Sequence, residues 1–349
     1  MSAKTTRLLD AARPAPNVLR GVITRAAAAQ ADARGARRRP QPHAAPGRGS
    51  LGAMPGRLLA LLLLTLAVAL PAAAAQARPA VGIADNKAEM FGDLRFQALH
   101  VRLARIMISY DALHDPVQKP GLDAWMAGAR ATGVRPLVTF TRSRRRTSYN
   151  PSAAQMAKSL KDFRARYPFL KEFATWNEAN INKRPETVAR WWQAMRRACP
   201  TCTVLGADLL DRANVGTWAR RFVKAAGRTP KAWGLHNYTD ANLLRTTGTR
   251  RLLRAVKGAV WFTETGGVVS RHNGSGVTFP TSAAHAAVVT KFVFSTLARV
   301  SPRVQRVYLY HWNTGRGDAR TWDSGLIAPD GNPRPALAVL QRLLGVKVG

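Results

Sequence analysis

Eight apolar, β-branched or aromatic runs recur between residues 78 and 349, and several are separated by helical stretches. That alternation constrains the fold more than any other feature. The runs begin near Val81 (VGIAD), Ala104 (ARIMISY), Arg135 (RPLVTF), Glu172 (EFATWN), Thr203 (TVLGAD), Ala232 (AWGLHNY), Ala259 (AVWFTE) and Arg306 (RVYLYHW). Helical periodicity is expected over Asp123–Thr132, Ala153–Tyr167, Pro185–Ala198, Val215–Ala226 and Ala283–Val300. Strand alternating with helix argues for a parallel sheet. Eight such units in 272 residues fit a single closed (β/α)8 barrel, the TIM barrel, better than an open doubly wound sheet. No glycine-rich phosphate loop follows the first run, which counts against a dinucleotide-binding fold. No repeat or linker divides the span 78–349, so it reads as one α/β domain.

The first 77 residues stand apart from that pattern. Met54-Pro-Gly-Arg57, then Leu58–Leu70, then the small residues Ala72–Ala77, have the layout of a secretory signal peptide over 54–77. The apolar core of about 13 residues is short for a membrane span, which needs roughly 20; an uncleaved N-terminal anchor is the alternative. Residues 1–53 are a basic extension rich in Ala, Arg and Pro with no sustained period. They read as a disordered leader or as a start-site artefact upstream of Met54. The expected product is a secreted, extracellular domain without stable membrane insertion once the signal is cleaved.

Charge bears on partners. The whole chain carries a formal +35, and residues 78–349 carry 43 Lys and Arg against 17 Asp and Glu. Such a surplus favours polyanions, but the arginines are spread along the chain rather than gathered on one element, so no specific nucleic-acid partner is inferred. The two cysteines, Cys199 and Cys202, lie in ACPTC. No second cysteine pair or histidine cluster completes a zinc site around them. In an exported chain they read as a small structural disulfide closing the turn after a helix.

Only five glutamates occur: Glu89, Glu172, Glu178, Glu186 and Glu264. Two of them, Glu178 in FATWNEAN and Glu264 in VWFTETGG, sit where an apolar run meets a polar loop. Glycoside hydrolysis needs two carboxylates flanking one bond, one to donate a proton and one to attack or to activate water. In a (β/α)8 barrel the chemistry lies at the C-terminal ends of the strands, and both glutamates fall at such ends, of the fourth and seventh runs. Arg105 with Asp111, Arg142, His236 with Tyr238, and Trp312 with Asn313 fall at comparable positions. Polar capping of each strand as it meets solvent explains any one of them, but explains the set less well.

These residues resemble the clan A glycoside hydrolases, the retaining (β/α)8 enzymes that include cellulase-type and β-xylosidase-type families. The likeness spans about residues 80–345 and rests on short motifs. Asn177-Glu178 is similar to the clan's acid/base pair, and Phe262-Thr263-Glu264-Thr265-Gly266 to its nucleophile string. His236-Asn237-Tyr238 resembles the sixth-strand His-x-Tyr, and Trp312 the eighth-strand tryptophan. The segment Gly325–Leu337 resembles the closing stretch whose helix packs back on the barrel. The resemblance implies that Glu178 is the general acid and then base, and that Glu264 is the nucleophile. It implies that Asn177 binds a sugar 2-hydroxyl and that Trp312 offers a flat face to the sugar ring. Arg105 is similar to the clan's strand-two arginine but lies near the start of its run. As a proton donor Glu178 is expected to have a raised pKa; Arg105 and the Tyr238 hydroxyl are expected to keep Glu264 ionised. Two carboxylates and water suffice for this reaction, so neither a metal nor an organic cofactor is implied.

One departure concerns the substrate. Arg142, Arg144, Arg145 and Arg146 follow the third run, and Lys183 and Arg184 follow the acid/base motif. Ordered over the cleft, they would favour an acidic oligo- or polysaccharide; as a solvated, mobile loop they would not bear on it. Trp191-Trp192 is expected to pack against the barrel. Competing with the glycosidase are a non-catalytic carbohydrate- or cell-wall-binding barrel and an exported polyanion-binding protein.

Overall fold

In the computed structural model, residues 78–272, 277–315 and 321–346 are described; the segments 1–53 and 54–77 lie outside them. Nine strands form one parallel sheet: β1 (Ala80–Ala84), β2 (Leu103–Ser109), β3 (Arg135–Thr141), β4 (Glu172–Ala174), β5 (Thr203–Leu205), β6 (Asp208–Leu210), β7 (Ala232–His236), β8 (Ala259–Thr265) and β10 (Val304–Tyr310). The order is β5-β4-β3-β2-β1-β10-β8-β7-β6. Its two ends, β5 and β6, are separated in sequence only by Gly206 and Ala207, so the order closes on itself. The Gly206 N–H donates to the Ala232 carbonyl at 3.1 Å, and the Gly234 N–H to Ala207 at 3.0 Å. The run expected as one strand from Thr203 is therefore two halves of the fifth barrel strand, the first paired with β4 and the second with β7. A two-residue antiparallel ladder of β9 (Ser270–Arg271) and β11 (Trp322–Asp323) lies outside the barrel sheet.

The expected helices form at Lys119–Ala131, Ala153–Arg166, Pro185–Ala198, Val215–Ala226 and Ala283–Ser295. Their starts follow local chemistry. Ser152 and Gln155 make a reciprocal capping box, and Pro185 opens its helix where no intrahelical N–H is needed. Gly227, at φ 65°, ends its helix in the left-handed region that favours glycine. Further helices at Thr247–Ala255, between β7 and β8, and at Pro335–Leu344 complete the shell. Among the described residues, no helix is long and apolar enough to cross a membrane.

Strand alternation divides the side chains into two layers. Outward residues meet the helices in one large core that includes Trp125, Trp191, Trp192, Trp233 and Phe222, all nearly or fully buried. Inward residues form a separate ring with one member from each barrel strand: Ala84, Leu103, Leu137, Ala174, Leu205, Ala232, Trp261 and Tyr308. One end of the barrel is closed by Arg306, which lies 3.6 Å over the Trp261 ring and pairs with Glu172 at 2.5 and 2.8 Å. Two positions further along β2 and β3, toward the C-terminal rim, the inward face turns polar at Arg105 and Thr139.

Candidate active site

Above the apolar ring lies an array of five ionisable groups, four of them buried and Glu178 half-buried. Arg105 is 1% exposed and organises it. Its Nη1 donates to Glu264 Oε1 at 2.6 Å, its Nη2 to Asp208 Oδ2 at 2.7 Å and to Asn177 Oδ1 at 2.9 Å, and its Nε to Thr139 Oγ1 at 2.9 Å. Two cations, Arg105 and His236, face three carboxylates, Asp208, Glu178 and Glu264. The long arginine side chain explains how a residue near the start of its strand reaches groups at the ends of others.

Each carboxylate is aimed by its local backbone. Glu264 lies within β8, where Gly234 pairs with Trp261 but His236 pairs with Glu264, a one-residue register shift. Strict alternation from the inward Trp261 would turn residue 264 outward; the bulge re-aims it into the barrel. Glu178 lies four residues beyond β4 with φ 46°, a conformation that disfavours residues bearing a Cβ. The neighbouring amides hold it there: Asn177 donates to the Phe140 carbonyl at 2.8 Å and Ala179 to the Asp208 carbonyl at 3.0 Å. Asp208 opens β6 and is fully buried; besides Arg105 it accepts from Thr139 and Thr263 hydroxyls, both at 2.9 Å.

His236, fully buried at the end of β7, sits between all three. Its Nδ1 lies 3.1 Å from Glu178 Oε1 and 3.7 Å from Glu264 Oε2, and its Nε2 lies 3.6 Å from Asp208 Oδ2. Nε2 is also 3.3 Å from Arg105 Nη2, but both hydrogens of that nitrogen are already directed at Asp208 and Asn177. The contact is therefore packing, and Nε2 is left to face Asp208 as a donor. Burial lowers the imidazole pKa and Arg105 opposes its charge, but Glu264, Asp208 and Glu178 outweigh both and raise it to about 9. Asp208 is pushed up by burial and pulled well below the usual range by Arg105 and His236.

The expectation of a raised Glu178 pKa is corrected. Burial raises it, yet the His236 hydrogen bond and the charges of His236, Arg105 and Arg212 prevail, and the carboxyl is lowered. At this pair the proton therefore resides on the adjoining imidazole, 3.1 Å away, and the two groups titrate together.

A cavity of about 1050 Å³ opens onto Glu178 and Glu264. Tyr238 lines it, and its hydroxyl donates to Glu264 Oε2 at 3.4 Å. Burial, with the Glu264 charge, holds the phenol well above its ordinary pKa. Tyr310 and Trp322 also line it, Trp322 standing edge-on to Tyr238 at 4.9 Å. One oxygen each of Glu178 and Glu264 and a ring nitrogen of His236 all lie within 4.8 Å of one another. That spacing resembles a metal-ligand set, but a raised imidazole pKa and a guanidinium already on Glu264 suit the trio to holding a proton.

Of the residues expected at the site, Glu178, Glu264, Asn177, Arg105, His236 and Tyr238 come together. Trp312 does not. It is 1% exposed, packs edge-on against Phe96 at 5.5 Å and donates its indole N–H to Asp93 at 3.0 Å. Tyr310, two residues earlier, faces the cavity instead. The basic residues after β3 and after the acid/base motif do not line it either. Arg144 turns to Asp115 at 3.1 Å, Arg145 and Arg146 line a separate cleft of about 330 Å³, and Lys183 donates to Asn150 at 2.5 Å. Cys199 and Cys202 are bridged directly after the helix Pro185–Ala198, with S–S 2.08 Å. Asp208, Tyr310 and Trp322 were not found from sequence; the one available signal was that TVLGAD ends on an aspartate at a strand terminus.

Comparison with solved structures returns the same barrel. Xylanase 10B from Thermotoga maritima shares 12% identity, with 77% of this chain and 96% of that chain covered and a TM-score of 0.56. For β-glucosidase 1317 the figures are 15%, 75%, 88% and 0.53. A family 39 glycoside hydrolase from Bacteroides cellulosilyticus WH2 matches at 15% identity over 76% of this chain and 63% of that chain, with a TM-score of 0.49. This chain therefore spans a little under two thirds of that protein. The first two likenesses establish a shared fold, the (β/α)8 barrel. No protein-family model and no curated protein matches the sequence.

Proposed function

We propose that this protein is a secreted retaining glycoside hydrolase that cleaves O-glycosidic bonds of an oligo- or polysaccharide by double displacement. The observation that carries the reading is the approach of Glu178 and Glu264, oxygen to oxygen within 4.8 Å, over a large open cavity. Retaining enzymes hold their carboxyls about 5–5.5 Å apart, whereas inverting ones leave roughly 6.5–9.5 Å for a water. Secretion rests on the sequence of residues 54–77.

In the first step Glu264 attacks the anomeric carbon. Arg105 holds one of its oxygens at 2.6 Å, and the Tyr238 hydroxyl orients the other. A proton passes from His236 Nδ1, in hydrogen-bond reach, through Glu178 to the departing oxygen, which leaves Glu178 ionised and His236 neutral. In the second step Glu178 takes a proton from water, and the hydroxide displaces Glu264 from the sugar. Asp208 keeps Arg105 and His236 in place from below and does not contact substrate. The Asn177 amide nitrogen is free to meet a sugar hydroxyl because Arg105 holds its oxygen.

A barrel that only binds sugar is the less favoured reading, since binding alone gives no reason to bring two glutamates and an imidazole into one array. The test is hydrolysis of a panel of aryl glycosides and polysaccharides by the full chain beside Glu264→Ala, with circular dichroism of both. Release of sugar by the parent alone, at matching spectra, is expected. Equal release by both would remove Glu264 from the reaction, and no release by the parent across a broad panel would favour the binding protein.

A further inference from the structure

The net positive charge of this chain is not evenly placed around the cavity. Among the described residues four arginines line it: Arg212 on the loop after β6, Arg245 just before the helix Thr247–Ala255, Arg251 within that helix, and Arg271 on β9. Among the described residues the lining carboxylates are Glu178, Glu264 and Asp211. The first two already face Arg105 and His236 beneath the cavity floor. Asp211 is 5% exposed, accepts the Asp240 N–H at 2.6 Å on one oxygen, and has its other oxygen buried without a partner among the described residues. The wall is thus cationic beyond what its own acids offset.

The four arginines differ in how far they are committed. Arg271 donates to the Val277 carbonyl at 3.2 Å and stacks 4.8 Å over Phe279, and Arg245 lies 3.6 Å from Asp240. Arg251 reaches the Arg212 carbonyl at 3.5 Å, which brings these two basic residues onto one wall. Arg212 is exposed, lines the cavity and pairs with no carboxylate among the described residues, and its charge bears on Glu178. The Arg212 charge near the acid/base carboxyl, with Arg251 held on the same wall, offers planar N–H donors of the kind that take up a carboxylate or sulfate oxygen pair.

We propose that Arg212 and Arg251 form a subsite for an anionic substituent of the glycan, next to Glu178, so that the substrate is an acidic oligo- or polysaccharide. The proposal rests on the glycosidase reading for the identity of its cavity. The residues are not those of the loop after β3, which would have favoured the same substrate class only if ordered over the cleft. An anion held there also neutralises a positive charge that lowers Glu178, so binding of the correct sugar assists its protonation. Below about 6, to which burial raises the Asp211 carboxyl, that group is protonated and can add a hydrogen-bond donor to the same wall.

Equilibrium binding by calorimetry tests this apart from turnover. The full chain carrying Glu178→Gln, which keeps ligand intact, is titrated with oligogalacturonates and with glucuronic-acid-bearing xylo-oligosaccharides. Each is compared with its carboxyl-reduced neutral form, and a sulfated oligosaccharide is run beside them. The acidic form of one ligand is expected to bind at least about tenfold tighter than its neutral form. Arg212→Ala and Arg251→Ala should each remove roughly fivefold of that preference, and together all of it. Arg144→Ala, outside the cavity, should change nothing. Whether carboxylate or sulfate binds tighter identifies the anion. Equal affinity for acidic and neutral forms overturns the proposal, as does an equal loss in Arg144→Ala, which would trace binding to overall charge. A preference lost only in the cavity variants, in a protein that cleaves nothing, would refute the glycosidase and leave this subsite standing.

Discussion

Replacing His236 by Asn should remove a pH dependence as well as an interaction. The imidazole pKa rises from 6.5 to about 9 in the folded protein. At 1.36 kcal/mol per tenfold, that difference corresponds to about 3 kcal/mol of preference for the imidazolium. Because the folded value lies above the unfolded one, this stabilisation is fully present below about 6.5 and fades as pH rises to about 9. The physical cause is the charge count. With His236 protonated, two cations face three carboxylates around a fully buried imidazole; with it neutral, one cation faces three. Urea unfolding near pH 6 and near pH 9.5 should show the parent losing about 3 kcal/mol more across that interval than His236→Asn, whose other titrating groups are the same. The basic limb of kcat/KM should report the same pair. It should lie near 9 in the parent, where one proton is shared by His236 and Glu178, and move well to the acid side in the variant. Identical pH slopes of stability in the two proteins would refute the imidazolium, and with it the account of where the catalytic proton is stored.

Two further outcomes follow from the same array and one from the disulfide. Arg105→Met leaves Glu264 and Asp208 buried without their cation and should cost about 3–5 kcal/mol in denaturant unfolding, far beyond a surface arginine. Gly234→Ala would set a Cβ against the Asp208 carboxylate and 2.7 Å from the Thr263 hydroxyl; a loss of about 1–3 kcal/mol and of most turnover is expected, whereas Gly92→Ala, which meets no atom within 4 Å, should leave turnover unchanged. Converting Cys199 and Cys202 together to Ser opens a loop with a sequence separation of only 3, so the chain-entropy cost should stay within about 2 kcal/mol, with activity retained.

What the sequence made legible was the part written in short-range pattern. The period of apolar runs gave the barrel, and the helices Pro185–Ala198 and Val215–Ala226 begin and end where their proline and glycine signals stand. Glu178 and Glu264 were visible because glutamate is scarce in this chain and both lie at strand ends. Asp208 was not, since an aspartate closing a strand resembles any polar cap until Arg105, 103 residues earlier, is seen to reach it. The direction of Trp312 is likewise set at long range, by Phe96 and Asp93, and no local pattern records that Tyr310 takes the cavity face. The split between β5 and β6 arises at Gly206, where a Cβ would meet Pro230 and Trp233 at 2.9 Å, a contact that strand periodicity alone does not reveal. Glu178 was assigned its place correctly but its pKa in the wrong direction, because the sequence showed neither His236 at 3.1 Å nor Arg212 nearby.

The central claim is that Glu264 becomes covalently bound to the sugar. The direct measurement is peptide mass mapping of the full chain after incubation with a 2-deoxy-2-fluoro aryl glycoside of whichever sugar the panel shows it to release. The account predicts one fluorosugar on the peptide containing Glu264, with the label absent from Glu264→Ala and present in Glu178→Gln given an activated leaving group. A label on another residue, or a parent that cleaves its substrate with inversion at the anomeric carbon and takes no label, would contradict it.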